Sequence, residues 1–502
     1  MTAAMIDDLL AYAGIDDRFA DAFGTPAVVA RETKVAMLQA LGFDVTDDED
    51  AARVLAERRA ADAGMKFAPS YVVRPDTLDR VPAQLRAQMP KRADYGYYLT
   101  EGDGRAIRVV VAPSKAYVPA DVAERPRWGL GAQLYSLQSA GSTGLGDFSD
   151  LAALAKIAHR QGAAAIALNP LHQSHLSNPS AASPYAPLSR RYLSAWYIDV
   201  RAAAAEFGVP LDGADAPPLH VPLIDYPAVA AYKLAALERI YAATRLFRPW
   251  ASFVQADPAL RTAALYEAIM EHERAKDASV YGWPQWPKSL RDRGSAQVAR
   301  FAREHAGRVE FFCMLQWLAD RQLARAAQAA APLSIGLYRD LAVGVDLSSA
   351  DVWGDPQAFV LGLSLGAPPD PLNAAGQNWG LPPLDPRALA RGGYEPFAAL
   401  LRANMRHAGA LRIDHVMGLR RLFCLPRATG GGAYLTYDFD AMLGIVALES
   451  HRHRCMIVGE DLGTVPEGFR ERTRAERIFS CSVLFFEREV GGGFRAPKAY
   501  PH

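Results

Sequence analysis

Cysteine is scarce, neither sign of charge is in surplus, and long apolar runs are missing; each shortage removes a class of function. Four cysteines (Cys313, Cys424, Cys455 and Cys481) stand far apart in 502 residues, with no Cys-x-x-Cys pair. That excludes a zinc ribbon and speaks against a disulfide framework. Lys plus Arg number 55 and Asp plus Glu number 55, a formal net charge of zero. Nucleic acids and anionic membranes demand a basic surplus, so neither is an expected partner. No apolar stretch reaches about 18 residues, the length of a membrane span. The opening Met1-Thr-Ala-Ala-Met-Ile-Asp-Asp is acidic where a secretory signal would be basic. A soluble cytoplasmic protein is expected. Neutral substrates stay open, and 8 Trp with 20 Tyr would suit stacking on sugar rings.

What is present is a large apolar budget, 50% of residues. A chain this long outgrows one ordinary core, so several domains or one embellished barrel are expected. Residues 1–62 read as a helical module, with helices at 5–12, 25–41 and 47–60. The second of these opens on Thr25-Pro26, a cap followed by proline. Residues 63–118 read as a small β-sandwich-like module, from β-branched runs such as Ser70-Tyr-Val-Val-Arg and Ala106-Ile-Arg-Val-Val-Val. From 119 to 502 short apolar strands alternate with helices, interrupted by a helical insertion at about 200–331. Strand candidates are Gly131-Ala-Gln-Leu-Tyr-Ser-Leu, Ala163-Ala-Ala-Ile-Ala-Leu-Asn-Pro, Leu333-Ser-Ile-Gly-Leu-Tyr-Arg-Asp, Ala410-Leu-Arg-Ile-Asp-His, Cys455-Met-Ile-Val-Gly-Glu-Asp and Cys481-Ser-Val-Leu-Phe-Phe. Alternation means parallel strands with helical crossovers. Asn169, Asp340, Asp414 and Glu460 fall at the carboxyl ends of these strands, where a (β/α)8 barrel places its active site. The barrel is therefore favoured over a doubly wound sheet.

The strongest constellation is Leu411-Arg-Ile-Asp-His-Val with Ile457-Val-Gly-Glu-Asp-Leu-Gly. Asp414 and Glu460 each follow a short apolar run, and two carboxylates facing one bond are the minimum apparatus for glycoside cleavage. Structural ion pairs or helix caps at strand ends are an equal alternative on spacing alone. Gly362-Leu-Ser-Leu-Gly has the nucleophile-elbow pattern, but Pro368 and Pro369 forbid the helix that must follow. Gly141-Ser-Thr-Gly-Leu-Gly-Asp lacks the ending of a phosphate loop. The pairs His172/His175 and His451/His453 lack a carboxylate at ligand spacing, so no metal is assigned.

Further motifs occur in order: Trp128-Gly-Leu-Gly-Ala-Gln-Leu-Tyr-Ser-Leu, Gly144-Leu-Gly-Asp-Phe, Asn169-Pro-Leu-His, Ser183-Pro-Tyr, Ser189-Arg-Arg, Tyr338-Arg-Asp-Leu, Gly366-Ala-Pro-Pro-Asp and Gly376-Gln-Asn-Trp-Gly. With Arg412-Ile-Asp-His and Gly459-Glu-Asp-Leu-Gly, the chain from about 126 onward resembles the 4-α-glucanotransferases (amylomaltases) of glycoside hydrolase family 77. The resemblance implies a retaining transfer of α-1,4-glucan segments among oligosaccharides and glucose, without cofactor. It implies Asp414 as nucleophile and Glu460 as acid/base, a pair that should stand about 5 Å apart. Arg412, on the same side of its strand as Asp414, would keep that carboxylate ionised. Asp340 and His415 would hold sugar hydroxyls. Tyr185 and Trp379 would present rings, with Gln377 also in the substrate-binding set, and the loop 366–380 would overhang the cleft. Oligomeric state is not legible.

The family also carries a third acid, an aspartate in a Thr-His-Asp segment near the seventh barrel strand. Here no aspartate follows Asp461 and no His-Asp pair occurs. The expectation is therefore a C-terminally truncated barrel lacking its last strands, a feeble catalyst and poor folder. The alternative function is a catalytically impaired glucan-binding remnant, and a further one is a hydrolase of the related α-amylase group.

Overall fold

A computed structural model of the chain describes all residues except 1–4, 22–23, 212–216, 218–222, 371–372, 490 and 501–502. The first four residues, positions 371 and 372 of the loop 366–380, and the last two of Tyr500-Pro-His thus lie outside the described residues. The chain divides into two compact units. One comprises Met1–Arg127, Gln357–Met405 and Ala410–His502; the other comprises Trp128–Pro356 and Arg406–Gly409.

In the second unit, Gly129–Ala132 pairs in parallel with Ala165–Leu168, which pairs in parallel with Gly336–Leu341. The first crossover is the helix Phe148–Arg160. Asp147 caps it, accepting from the amides of Ser149 and Asp150, while the Asp150 carboxylate accepts from the Asp147 amide. Two of the helix's orphan donors are satisfied this way. The second crossover runs through the long helices Tyr226–Thr244, Leu260–Lys276 and Ala306–Ala330, which supply the anticipated helical insertion. Their apolar faces share one core with the strands, in which Trp250, Trp286 and Trp353 are fully buried. The strand anticipated at 131–137 is displaced: it ends at Ala132, and Leu134–Ser136 forms a 3-10 turn. The Asn169 side chain captures the Leu134 amide at 2.7 Å, and Gly146 lies so close that a Cβ there would sit 2.1 Å from the Leu134 carbonyl oxygen.

Lys233 and Glu267 are buried ionisable groups of this unit. Lys233 is fully buried and donates to the carbonyls of Trp196 and Ile198 at 2.6 and 2.8 Å. Burial lowers its amine to about 8 despite the neighbouring Asp147, whose carboxyl burial raises to about 7. Glu267 accepts from Gln173 at 2.9 Å, and burial lifts it to about 8. The folded state therefore holds a proton that the unfolded carboxyl releases near 4.5. Stability from this group is full below 4.5 and is lost as pH rises towards 8, at about 1.4 kcal/mol per pH unit for a fully buried site. Glu267→Gln has no such proton, so its urea midpoint should gain on the parent's between pH 5 and 8. A pH-independent difference would overturn this reading.

In the first unit, Ala410–Ile413 pairs in parallel with Met456–Gly459, which pairs in parallel with Phe479–Ser480; the helix Phe439–His453 makes the first crossover. The anticipated strand over 481–486 is a correction. Pairing stops at Ser480 because the Asp461 carboxylate takes both the Ser480 hydroxyl and the Cys481 amide, and Leu484–Phe486 turns as an exposed 3-10 helix. An antiparallel sheet of Gln377–Asn378, Leu363–Ala367, Arg421–Pro426 and Ala433–Thr436, not anticipated, lies in the same unit. Ser364 sits mid-strand in it, buried, donating to Asn378 Oδ1 at 2.5 Å, so Gly362-Leu-Ser-Leu-Gly makes no strand-to-helix elbow.

Also in this unit are the helices Met5–Ala13, Arg31–Ala40 and Asp48–Ala63. The middle one begins six residues later than expected of the Thr25-Pro26 cap. Instead Pro26–Val28 pairs with Arg18–Ala20 in a hairpin whose Phe19 seats edge-on against Phe423 and Tyr434, at 5.3 and 5.7 Å. An aromatic tertiary contact outweighs the local capping preference. Ser70–Val73, Arg105–Val111 and Gly96–Gly102 form one mixed three-stranded sheet over its own small core, rather than the two layers of a sandwich. The first-unit N-terminal residues are tied to later ones: the Gly14 carbonyl accepts from the Thr436 amide at 2.8 Å, and Arg74 pairs with Glu476 at 2.8 Å.

The architecture is thus mixed α/β with parallel strands. Among the described residues these strands form open runs, and no closed barrel is formed. No described helix is long and apolar enough to cross a membrane.

Candidate active site

Register places the two carboxylates. Ile413 and Gly459 are partners at the ends of adjacent parallel strands, so the next residues, Asp414 and Glu460, leave the sheet side by side at its carboxyl edge. Partner positions on neighbouring strands lie about 4.8 Å apart, which sets the scale for their separation. The exit is fixed by backbone bonds: the Glu460 amide donates to the Ile413 carbonyl at 3.0 Å, and the Val416 amide to the Glu460 carbonyl at 2.9 Å. Gly459 is required here, since a Cβ would lie 2.7 Å from the Val416 side chain.

The environments of the two acids differ. The Glu460 carboxylate accepts from the amides of His415 and Leu462, at 3.0 and 2.9 Å. Burial nevertheless raises its pKa above the ordinary carboxyl value, helped by the neighbouring Asp414 and opposed by those amides and Arg412. Asp414 pairs with the Arg412 guanidinium at 2.9 Å. One carboxyl is thus inclined to keep its proton, and the other faces a fixed cation. His415 between them has φ 49° and ψ 58°, a left-handed conformation unusual outside glycine, of the kind that clusters at functional sites. Its side chain is half-buried, and the partial desolvation lowers its imidazole to about 4 and keeps it neutral. Trp379 meets it edge-on at 5.4 Å and donates from Nε1 to Gln377 Oε1 at 3.1 Å. Gln377 in turn reaches Asp370 at 3.4 Å. Arg412, Asp414, His415, Glu460, Trp379 and Gln377 are therefore one connected cluster.

Tyr185 and Asp340 belong to the other unit, where they face each other: the Tyr185 hydroxyl donates to Asp340 Oδ2 at 3.0 Å. Asp340 is buried near the end of its strand, whereas the Tyr185 ring is exposed. Near them His172, neutral through burial, accepts the Ala342 amide on Nε2 at 3.1 Å. Sequence reading missed this brace because the histidine was weighed only as a metal ligand. It also missed Asp370, whose motif position gives no hint of the bond to Gln377. Two polar residues at strand ends prove structural: Asn169 holds the Leu134 amide and the Tyr197 hydroxyl, and Asp461 anchors Ser480 and Arg470. Among the described residues no group of three or more His, Cys, Asp or Glu could hold a metal ion.

Comparison with known proteins places the chain in a family. The chain is 35% identical over 447 residues to a 4-alpha-glucanotransferase of Haemophilus influenzae, covering 82% of this chain and 64% of that protein. It is 39% identical over 434 residues to one from Mycobacterium tuberculosis, covering 80% and 58%. The chain thus spans about three-fifths of the length of these relatives. The crystal structure of amylomaltase from Corynebacterium glutamicum superposes with a TM-score of 0.81 at 28% identity, covering 99% of this chain and 77% of that one. Amylomaltase from Streptococcus agalactiae in complex with acarbose shares the fold, with a TM-score of 0.63 at 17% identity over 72% of this chain and 74% of that one. The model of the 4-alpha-glucanotransferase family, glycoside hydrolase family 77, matches residues 132–502, and the chain belongs to that family.

Proposed function

We propose that the chain acts as a 4-α-glucanotransferase, carrying α-1,4-glucan segments between maltooligosaccharides, with glucose as the smallest acceptor. The observation that carries this is the pairing of Asp414 and Glu460 at one sheet edge in unlike environments. Asp414 attacks the anomeric carbon as the bond to the leaving oxygen breaks, and Glu460 gives its proton to that oxygen. A glucosyl ester on Asp414 results. The 4-hydroxyl of an acceptor then attacks the same carbon, Glu460 takes the hydroxyl proton, and the Asp414 carboxylate departs. Net configuration is retained. Arg412 pairs with Asp414 and orients it, His415 and Asp340 hold sugar hydroxyls, and Tyr185, Trp379 and Gln377 present stacking and polar edges.

In this reading residues 119–502 contribute to a (β/α)8 catalytic domain with an insertion at about 200–331, and 1–62 and 63–118 are accessory modules, with the cytoplasm as the working compartment. The family and the named relatives favour a transferase over an impaired remnant.

Maltotriose tests the proposal. Glucose plus longer oligomers should appear while total reducing ends stay constant. Rising reducing ends would make the protein a hydrolase, and binding without products would make it a remnant. Trp379→Ala should raise KM for maltotriose about tenfold with little change in kcat, as loss of a stacking face common to ground and transition states requires. A fall in kcat alone would assign Trp379 a different part.

A further inference from the structure

The small three-stranded sheet of the first unit carries an aromatic feature that the catalytic reading does not use. A surface depression of about 510 Å³ is lined by Pro75, Ala93, Asp94 and Tyr95. Tyr95 is 53% exposed, and among the described residues its hydroxyl makes no hydrogen bond. Other tyrosines nearby are occupied. Tyr97 lies under the guanidinium groups of Arg108, Arg402 and Arg452, and Tyr117 under that of Arg454. The Tyr98 hydroxyl donates to the Asp94 carbonyl at 2.7 Å. Tyr95 instead leans on His451, ring centroids 6.4 Å apart, and His451 is backed by Tyr117 at 6.1 Å and held by the Lys115 carbonyl at 2.9 Å. The ring is braced from behind and open in front.

The polar complement is an acceptor. Among the described residues the Asp94 carboxylate has neither hydrogen-bond nor ion-pair partner. Arg74, the cation adjoining Pro75, is already taken by Glu476 and the Pro113 carbonyl. None of the lining residues is a cation, so the depression offers nothing to an anion. An open aromatic face beside a free carboxylate suits a neutral, hydroxyl-rich ligand: C–H bonds of a sugar ring lie on the tyrosine, and a hydroxyl donates to the acid.

We infer that the Pro75–Ala93–Asp94–Tyr95 depression is an accessory binding site for α-glucan chains, separate from the Asp414–Glu460 cluster. The choice of α-glucan among neutral glycans rests on the proposed function; the existence of a glycan site does not.

Native electrophoresis through gels containing glycogen reads the site directly. The comparison uses the Trp379→Ala background, where the catalytic cluster contributes less to retention. Tyr95→Ala should weaken apparent glycogen affinity about five- to tenfold. Tyr95→Phe should stay within about twofold, because the ring face remains. Asp94→Asn, which keeps an acceptor oxygen, should fall between the two. In the otherwise unaltered protein, Tyr95→Ala should leave maltotriose turnover unchanged. Equal retention of Tyr95→Ala and its parent would overturn the site, as would a parent that glycogen does not retard. Equal retention by a β-1,4-glucan gel would overturn the α-glucan assignment. Failure of the catalytic proposal shows separately, as missing maltotriose products while retardation persists.

Discussion

Asp414→Asn should reduce transfer from maltotriose by on the order of 10⁴-fold or more, because the amide cannot form the glycosyl ester on which both half-reactions depend. Glu460→Gln should cost about 10²–10⁴-fold, the usual share of a general acid. The two losses differ in kind, and α-maltosyl fluoride separates them. Fluoride departs without a proton, so Glu460→Gln should accept this donor and accumulate covalent adduct, while Asp414→Asn should not. Rescue of Asp414→Asn by the fluoride would exchange the two roles. The pH profile gives a second check. Burial raises the Glu460 carboxyl above its ordinary value of 4.5. The acid form therefore survives to higher pH than an exposed glutamate would allow, and kcat/KM should decline as pH rises through that displaced value. This alkaline limb should vanish from the residual activity of Glu460→Gln. A limb that persists would assign it to another group.

Lys233→Ala should be the most damaging single change away from the Asp414–Glu460 cluster. It strips the carbonyls of Trp196 and Ile198 of their donor, leaves Asp147 without its cation, and opens a cavity in the insertion core. Removing one member of a buried charged network costs about 3–5 kcal/mol, against a total stability of about 5–15 for a typical domain. Urea unfolding should show a lower midpoint with unchanged slope, and soluble yield should fall. Lys233→Met keeps the volume but not the donor, so it should recover only the packing part of the loss. Full recovery in Lys233→Met would mean the ammonium contributes nothing.

The adjacency of Asp414 and Glu460 was legible because its signal is local. Ala410-Leu-Arg-Ile and Met456-Ile-Val-Gly are short buried strands, and a carboxylate directly after such a run must leave the sheet at its edge. The same rule pointed equally at Asn169, whose side chain turns back to the Leu134 amide. Local pattern says where a polar group emerges, not whether it meets a ligand or its own backbone. The hairpin at 18–28 was illegible for the opposite reason, since its stabilising partners, Phe423 and Tyr434, lie some four hundred residues on. The antiparallel sheet at 363–436 was illegible because its central pairing joins Leu363–Ala367 to Arg421–Pro426, which no local pattern links. The hydrogen bonds of His172 with Ala342, and of Gln377 with Asp370, depend on side-chain directions that spacing does not encode.

The bond between Gly14 and Thr436 spans 422 positions, and that between Arg74 and Glu476 spans 402. On a ribosome adding about 5–20 residues per second, the first helices and the small sheet emerge about 20–80 s before the segments that cover them exist. For that interval Phe19 and Arg74 face solvent or a chaperone instead of Phe423 and Glu476. The early segment must remain soluble on its own small core while it waits. Slower elongation lengthens this exposure, so the chain's yield in cells should track translation speed and chaperone supply more closely than its final stability.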